Sequence, residues 1–400
     1  MLNTFLNKID SLMLYKLAFS LFVFSIFVLI LSDHWELSSL KLVGLGIEGK
    51  EVGYFSSPSW WPNFTIFLPL LTILLGWLLK EIKQTHFKLI QSNMIFDPST
   101  KTIINSVEVI NASWNDWLRK ALNLWAIIAL FVILISYFDC YSSAVKPTYD
   151  VDLENMKEID WSHASLISEN IVSKNKNTIF NIIAFTLQGF GASLGILMLV
   201  VSGAYGTFIN NYSNPTGKWV IIPNKKSDDS RKGFEHFEYV GMLLLFLGLL
   251  ACLIIYLTIL QNTYLSNEAL SLSEFLQSLS KETLMTPLHI NLSNVLVLML
   301  GIIVILVTLL AVPIGILSYS AKKAKENYSF NFPDECDALN GMKWWPYKWL
   351  NSHFIIIAIS LAFFSLIFPN IAPYLAILYV GSLVTYVTWK IAQYFKTESI

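Results

Sequence analysis

Apolar residues in this chain fall into long uncharged stretches, and nearly all of the charge sits in the short polar segments between them. Seven windows contain no Asp, Glu, Lys or Arg: 17–32, 52–79, 121–138, 177–217, 239–267, 283–321 and 349–389. A helix needs about 20 mostly apolar residues to cross the roughly 30 Å hydrocarbon core of a bilayer. The first six windows each supply one crossing. The last has room for two, divided by Pro369-Asn370-Ile371-Ala372-Pro373, whose prolines break a helix and favour a tight turn. The pattern predicts an all-α integral membrane protein, a bundle of about eight transmembrane helices. The crossings are expected near 14–32, 62–80, 120–139, 179–203, 239–262, 293–318, 351–368 and 372–390, in one polytopic domain over 1–400 with no separate soluble domain. Windows 177–217 and 283–321 exceed one crossing. Their surplus is polar (Asn210-Asn211-Tyr212-Ser213-Asn214-Pro215) or can kink at Pro313, which leaves room for a re-entrant segment.

Composition agrees with this pattern. Of 400 residues 54% are hydrophobic and only 14% charged, whereas a water-facing surface brings about 25% charged residues. The first apolar stretch is read as a retained span, because Ser32-Asp33-His34-Trp35 offers no small-x-small cleavage site. Orientation follows from the basic residues. Placing the N-terminus, 80–120, 203–238, 320–352 and the C-terminal tail on one side puts 20 Lys and Arg there, against 7 on the other side, and none lies in an uncharged window. The basic-rich side is expected to be cytoplasmic, with both termini on it. The protein is therefore expected to be multi-pass in a cell membrane, either a bacterial inner membrane or a plasma membrane. Its partners are expected to be the lipid bilayer and either further copies of itself or other membrane subunits. A net charge of -1 gives no reason to expect nucleic acid.

Some local elements can also be read. Asp97-Pro98-Ser99 between β-branched runs predicts a small hairpin within 93–110. Segment 271–282 carries the capping box Ser271-x-x-Glu274 and apolar Leu272, Phe275, Leu276 and Leu279, the pattern of an amphipathic helix on the outer interface or over the bundle. Trp60-Trp61-Pro62 and Trp344-Trp345-Pro346 introduce the second and seventh spans, with Trp suited to the headgroup layer and Pro to a first helical turn.

Several motifs resemble chemistry but lack its context. Cys140, Cys252 and Cys336 are far apart and show no metal or disulfide spacing. Gly191-Ala192-Ser193-Leu194-Gly195 satisfies G-x-S-x-G, a pattern that needs a strand-to-helix elbow beside a histidine. Here it falls within a span, while all six histidines fall in loops or at span ends, so Gly191-xxx-Gly195 is read as a helix-packing pair. Glu235, His236 and Glu238 are read as a solvated helix end and not as a chelate, because adjacent helical residues point in different directions. Walker, SxxK, HExxH and selectivity-filter sequences are absent. Neither an enzymatic activity nor a catalytic residue, metal or other cofactor is expected.

Small and polar residues recurring every seven positions carry the functional expectation. The fourth span has Asn181, Gln188, Gly195 and Ser202, with Gly191 beside them; the sixth has Asn294, Gly301, Thr308 and Gly315; the second has Thr65, Pro69, Thr72 and Gly76. Seven residues make nearly two helical turns, so each set forms a stripe along one face. Such stripes are either seams where helices pack closely or the lining of a polar path. The opposite face of the fourth span, Ile183, Leu187, Phe190, Leu194 and Leu197, suits lipid or apolar neighbours. The spans keep no charge away from their ends, whereas ion coupling, proton relay and voltage sensing usually need one there. The leading expectation is a channel or passive transporter for an uncharged solute or small ion, and the alternative is a membrane scaffold, sensor or effector subunit acting through partners.

The predicted topology can be tested on the cysteines. Cys140 should react with a membrane-impermeant thiol reagent on intact cells or spheroplasts, Cys336 only after permeabilisation, and Cys252 in neither case. Labelling of Cys336 from outside would reverse the orientation.

Overall fold

The computed structural model describes residues 11–35, 60–145, 174–213, 219–224 and 230–244, with short pieces within 40–54, 226–254 and 319–329. The chain divides into two compact units, Met1–Ser266 with Leu300–Lys348, and Asn267–Met299 with Trp349–Ile400. All described residues belong to the first. The expected spans at 293–318, 351–368 and 372–390, most of the one at 239–262, the segment 271–282 and the Trp344-Trp345-Pro346 motif lie outside the described residues.

Helix α1 is Ser11–His34, and a short antiparallel pair follows it, β1 (Leu40–Lys41) with β2 (Glu51–Val52). Pro62 sits at φ -66°, already helical, and the chain then runs through a π-helical turn, Asn63–Phe67, into α2, Leu68–Gln91. The proline thus opens the helix where its missing N–H is not needed. With helices α3 (Val107–Val145) and α4 (Lys174–Tyr212), four helices among the described residues are long and apolar enough to cross a membrane.

The four helices differ in what surrounds them. In α2, 78% of the most apolar stretch is buried, with Leu71, Leu74, Leu75, Leu78 and Ile82 all but closed to solvent. In α3 the corresponding share is 11%. Its Leu124, Ile127, Phe131 and Leu134 stand exposed along one face, as do Phe19, Val23, Phe27 and Ile30 of α1. Exposed apolar stripes of this length are a liability in water and a match for hydrocarbon.

Small residues set the closest approaches. A Cβ on Gly76 would lie 2.9 Å from Tyr15 Cε1 and 3.2 Å from Leu14 Cβ, so α1 packs directly on the α2 backbone there. Gly189 plays the same part between α4 and α3, where a Cβ would come within 3.0 Å of the Ser136 side chain. Of the Gly191 and Gly195 pair, Gly191 faces Leu68 at 3.4 Å and Phe64 at 3.5 Å, ordinary contact distances. Among the described residues, a Cβ on Gly195 would meet nothing within 4 Å.

Trp60 corrects its expected role. It is buried against Tyr54, Phe64 and Phe185, with ring centroids at 6.2, 5.6 and 5.8 Å, and so clasps the helices together where a headgroup anchor was expected. Phe180 joins the cluster through Tyr54 at 5.4 Å and Trp35 at 6.4 Å.

Gly76→Leu should lower stability by about 1–3 kcal/mol, the usual cost of overpacking, whereas Gly195→Leu should leave the four-helix packing unchanged. Thermal unfolding of the purified variants in detergent measures both.

Candidate functional site

Three helices continue well past their expected spans at the end that the basic residues assign to the cytoplasm. The uncharged part of α2 stops at Leu79 but the helix runs to Gln91; α3 begins at Val107 and not near 120; α4 runs to Tyr212 and not to 203. Charge ends an apolar run without ending a helix. Along the first part of α3, buried Ile110, Trp114, Leu118 and Leu122 recur every four residues, while Asp116, Arg119 and Lys120 pair on the exposed face at 2.6 and 3.0 Å. This is an amphipathic helix in register with the apolar span that follows.

α2 ends in a Schellman motif. Asn93 takes the left-handed conformation at φ 53°, its N–H reaches Ile90 O at 2.9 Å, and Met94 N–H reaches Leu89 O at 3.0 Å. The reversal feeds the expected hairpin, β3 (Ile95–Asp97) with β4 (Thr102–Ile103), in the register Phe96 to Ile103. At its turn, Asp97 accepts from the Ser99 hydroxyl at 2.6 Å and the Ser99 N–H at 2.8 Å, which holds its carboxyl below the usual carboxylate range. Strand β5 (Val220–Ile221) adds to the other edge of β3, giving the order β4-β3-β5. Gly233, at φ 91°, leaves no room for a side chain, since a Cβ would sit 2.5 Å from Met94 Sδ.

These elements enclose an aromatic core. His86, Trp114, Tyr205, Phe208 and Trp219 are all but fully buried, and Trp219 stacks on Tyr212 at 3.7 Å and 6°. The His86 ring lies 5.7 Å from Phe208, 6.1 Å from Tyr205 and 6.5 Å from Trp114. Nδ1 is 3.0 Å from Asn111 Oδ1 and donates to it in this amide orientation, which leaves Nε2 as an acceptor. Nε2 and the Tyr205 hydroxyl are both buried without a hydrogen-bond partner among the described residues. The core therefore offers an acceptor and a donor that could serve a small polar group such as a water molecule.

The Glu235-His236-Glu238 cluster is docked on α2 with Glu238 buried, while Glu235 and His236 stay half-exposed. Phe234 and Phe237 of the short 3-10 helix Phe234–Phe237 are buried, His236 Nε2 lies 2.7 Å from Ser92 Oγ, and Thr85 donates to His236 O at 3.2 Å. Buried Arg231 pairs with Glu235 at 3.1 Å and with buried Glu238 at 3.7 Å. The sequence placed this segment at a span end, where solvent is the default surrounding; the long-range contacts with α2 could not be read from it. No group of three metal-ligating side chains occurs among the described residues.

The expected stripes divide. In α2, Thr72 is buried and donates to Leu68 O at 2.8 Å, whereas the buried Thr65 hydroxyl, in the π-helical turn, and the Asn63 side-chain oxygen have no hydrogen-bond partner among the described residues. In α4, Ser202 is buried and donates to Met198 O at 2.7 Å, and Gly191 faces α2. Gln188 is exposed on the face of α4 that also leaves Gly195 open, while Leu187, Leu194 and Leu197 turn inward. Ser193 lies within a continuous helix and bonds back to Gly189 O at 2.8 Å, and its carbonyl accepts from Trp125 at 2.7 Å. This is not the elbow that a hydrolase serine requires. The Asn181 side chain and Asn294, Gly301, Thr308 and Gly315 lie outside the described residues. The His86 core was not expected from the sequence. A faint signal was the four-residue recurrence of Ile110, Trp114 and Leu118 ahead of the third span.

Comparison with protein-family models, curated proteins and solved structures gives no match.

Asn111→Leu should remove the acceptor for buried His86 Nδ1–H and cost about 1–3 kcal/mol. Arg119→Ala, in an exposed ion pair, should cost no more than about 1 kcal/mol. Unfolding midpoints of the two variants in the same detergent test the contrast.

Proposed function

We propose that this chain is a multi-pass protein of a cell membrane, crossing it about eight times with both termini in the cytoplasm, and that it passively conducts an uncharged solute or small ion along a neutral polar path. The observation that carries this reading is Gln188. Its amide stands on an exposed face of α4 that also carries Leu199, while Leu187, Leu194 and Leu197 face inward. An amide against hydrocarbon is costly unless it finds a hydrogen-bond partner, and a hydrated path supplies one. The Thr65 hydroxyl and Asn63 oxygen in the π-helical turn, without a hydrogen-bond partner among the described residues, add polar groups of the kind that replace a solute's water. The uncharged windows suit passive movement without ion coupling.

A second reading is favoured by the headpiece. The helical extensions, the three-stranded sheet and the docked 3-10 helix form a structured surface beyond the spans. A scaffold, sensor or effector subunit would use such a surface for protein partners.

Solute flux in proteoliposomes separates the two. In Gln188→Leu and Thr308→Val the protein should stay folded, with stability changed by about 0.6 kcal/mol or less, while flux falls severalfold. Unchanged flux per folded molecule sinks the path. Absence of flux from the unaltered protein, together with co-purification of a specific partner, supports the scaffold reading instead.

A further inference from the structure

We propose that the aromatic core of the headpiece binds one ordered water molecule between Nε2 of His86 and the hydroxyl of Tyr205. Both side chains are closed to solvent, at 0% exposure, and neither atom has a hydrogen-bond partner among the described residues. They stand on different helices, His86 on α2 and Tyr205 on α4, with ring centroids 6.1 Å apart. Buried polar atoms are nearly always paired, with protein or with ordered water. Two orphans of complementary kind on neighbouring rings therefore mark a site.

The chemistry of the pair selects the ligand. His86 Nδ1–H is donated to Asn111 Oδ1 at 3.0 Å, so Nε2 can only accept, whereas the Tyr205 hydroxyl can donate. A molecule between them must give one hydrogen and take another, as water does. At ordinary hydrogen-bond lengths one water bridges partners up to roughly 6 Å apart, and a buried water is held by two to four polar partners. A metal ion would want further ligands, and no group of three His, Cys, Asp or Glu side chains that could hold one occurs among the described residues. An anion would find a single donor among aromatic rings, since Trp114 and Phe208 each pack against both His86 and Tyr205, and the faces of such rings are negative.

The bridge would join three helices. Asn111 belongs to α3, so the chain Asn111–His86–water–Tyr205 runs from α3 through α2 to α4. A fully satisfied polar network gives a core a unique arrangement that aromatic packing alone leaves adaptable. Without the water the chain of bonds ends at His86, and α2 and α4 meet there through ring contacts.

Tyr205→Phe, made in the full chain and purified in detergent, removes the hydroxyl and keeps the ring. The sign of its effect decides between a wet and a dry core. With the water bound, the ratio of folded to unfolded protein should fall about fivefold, the usual worth of one hydrogen bond. In a dry core the same change deletes an unpaired polar group, so the ratio should hold level or rise, and the proposal fails. The loss should also require His86: in a His86→Phe background, Tyr205→Phe should have no effect. A loss that persists there, or that vanishes in Glu81→Gln, would give the hydroxyl another partner and overturn the bridge. A second readout needs no change at His86. In [15N]histidine-labelled protein, Nε2 of His86 should receive magnetisation from water, and this transfer should be lost in Tyr205→Phe. Absence of transfer in the unaltered protein would equally remove the site.

Discussion

Burial of α2 on nearly every side is the constraint on which the rest of the described structure depends. A helix in hydrocarbon satisfies its own backbone hydrogen bonds, so its neighbours are chosen by shape. Gly76 admits α1 to the α2 backbone, and Phe64 and Leu68 meet Gly191 of α4. Because α2 is enclosed, α1 and α3 can leave long apolar faces outward, where Phe19, Phe27, Ile127 and Phe131 suit lipid. The same helix carries the packing past the apolar layer, since Thr85, His86 and Leu89 stay buried beyond the first lysines.

Aromatic clusters close the bundle at both ends. At one end Tyr54, Trp60, Phe180 and Phe185 join the start of α2 to the start of α4. At the other, Trp114, Tyr205, Phe208 and Trp219 join α3 and α4 to the segment leading into β5. Rings in edge-on contact add directional preference to simple burial. Trp117 and Trp125 add hydrogen bonds to Thr207 and to the Ser193 carbonyl, so α3 and α4 hold their register along their length.

Charge on α2 is sorted by helix face. Glu81 and Lys88 turn into the headpiece, where Lys88 also lies 5.4 Å from the Tyr239 ring, while Lys80 and Lys83 line an open cleft. The headpiece is not a detached domain but the continuation of three apolar helices, capped by a sheet of which β3 is the centre. Any movement of α2, α3 or α4 relative to one another would have to repack the His86 core.

The sequence by itself determined that apolar uncharged stretches of spanning length dominate the chain, because a shortage of charge over about 20 residues is a local property that needs no tertiary information. It also determined the hairpin after α2, through Asp97-Pro98-Ser99, and the start of α2 at Trp60-Trp61-Pro62, since turns and first helical turns are set by neighbouring residues. Which face of each helix meets protein was beyond its reach. The stripe of Gln188 and Gly195 and the opposing stripe of Leu187, Leu194 and Leu197 were both legible, yet only the tertiary structure decided that the apolar one turns inward, because lipid and protein interior are equally apolar solvents for a leucine. The same holds for the headpiece. Thr85 and His236 come together across 151 residues of chain, and contacts at that separation leave no periodic trace in either segment.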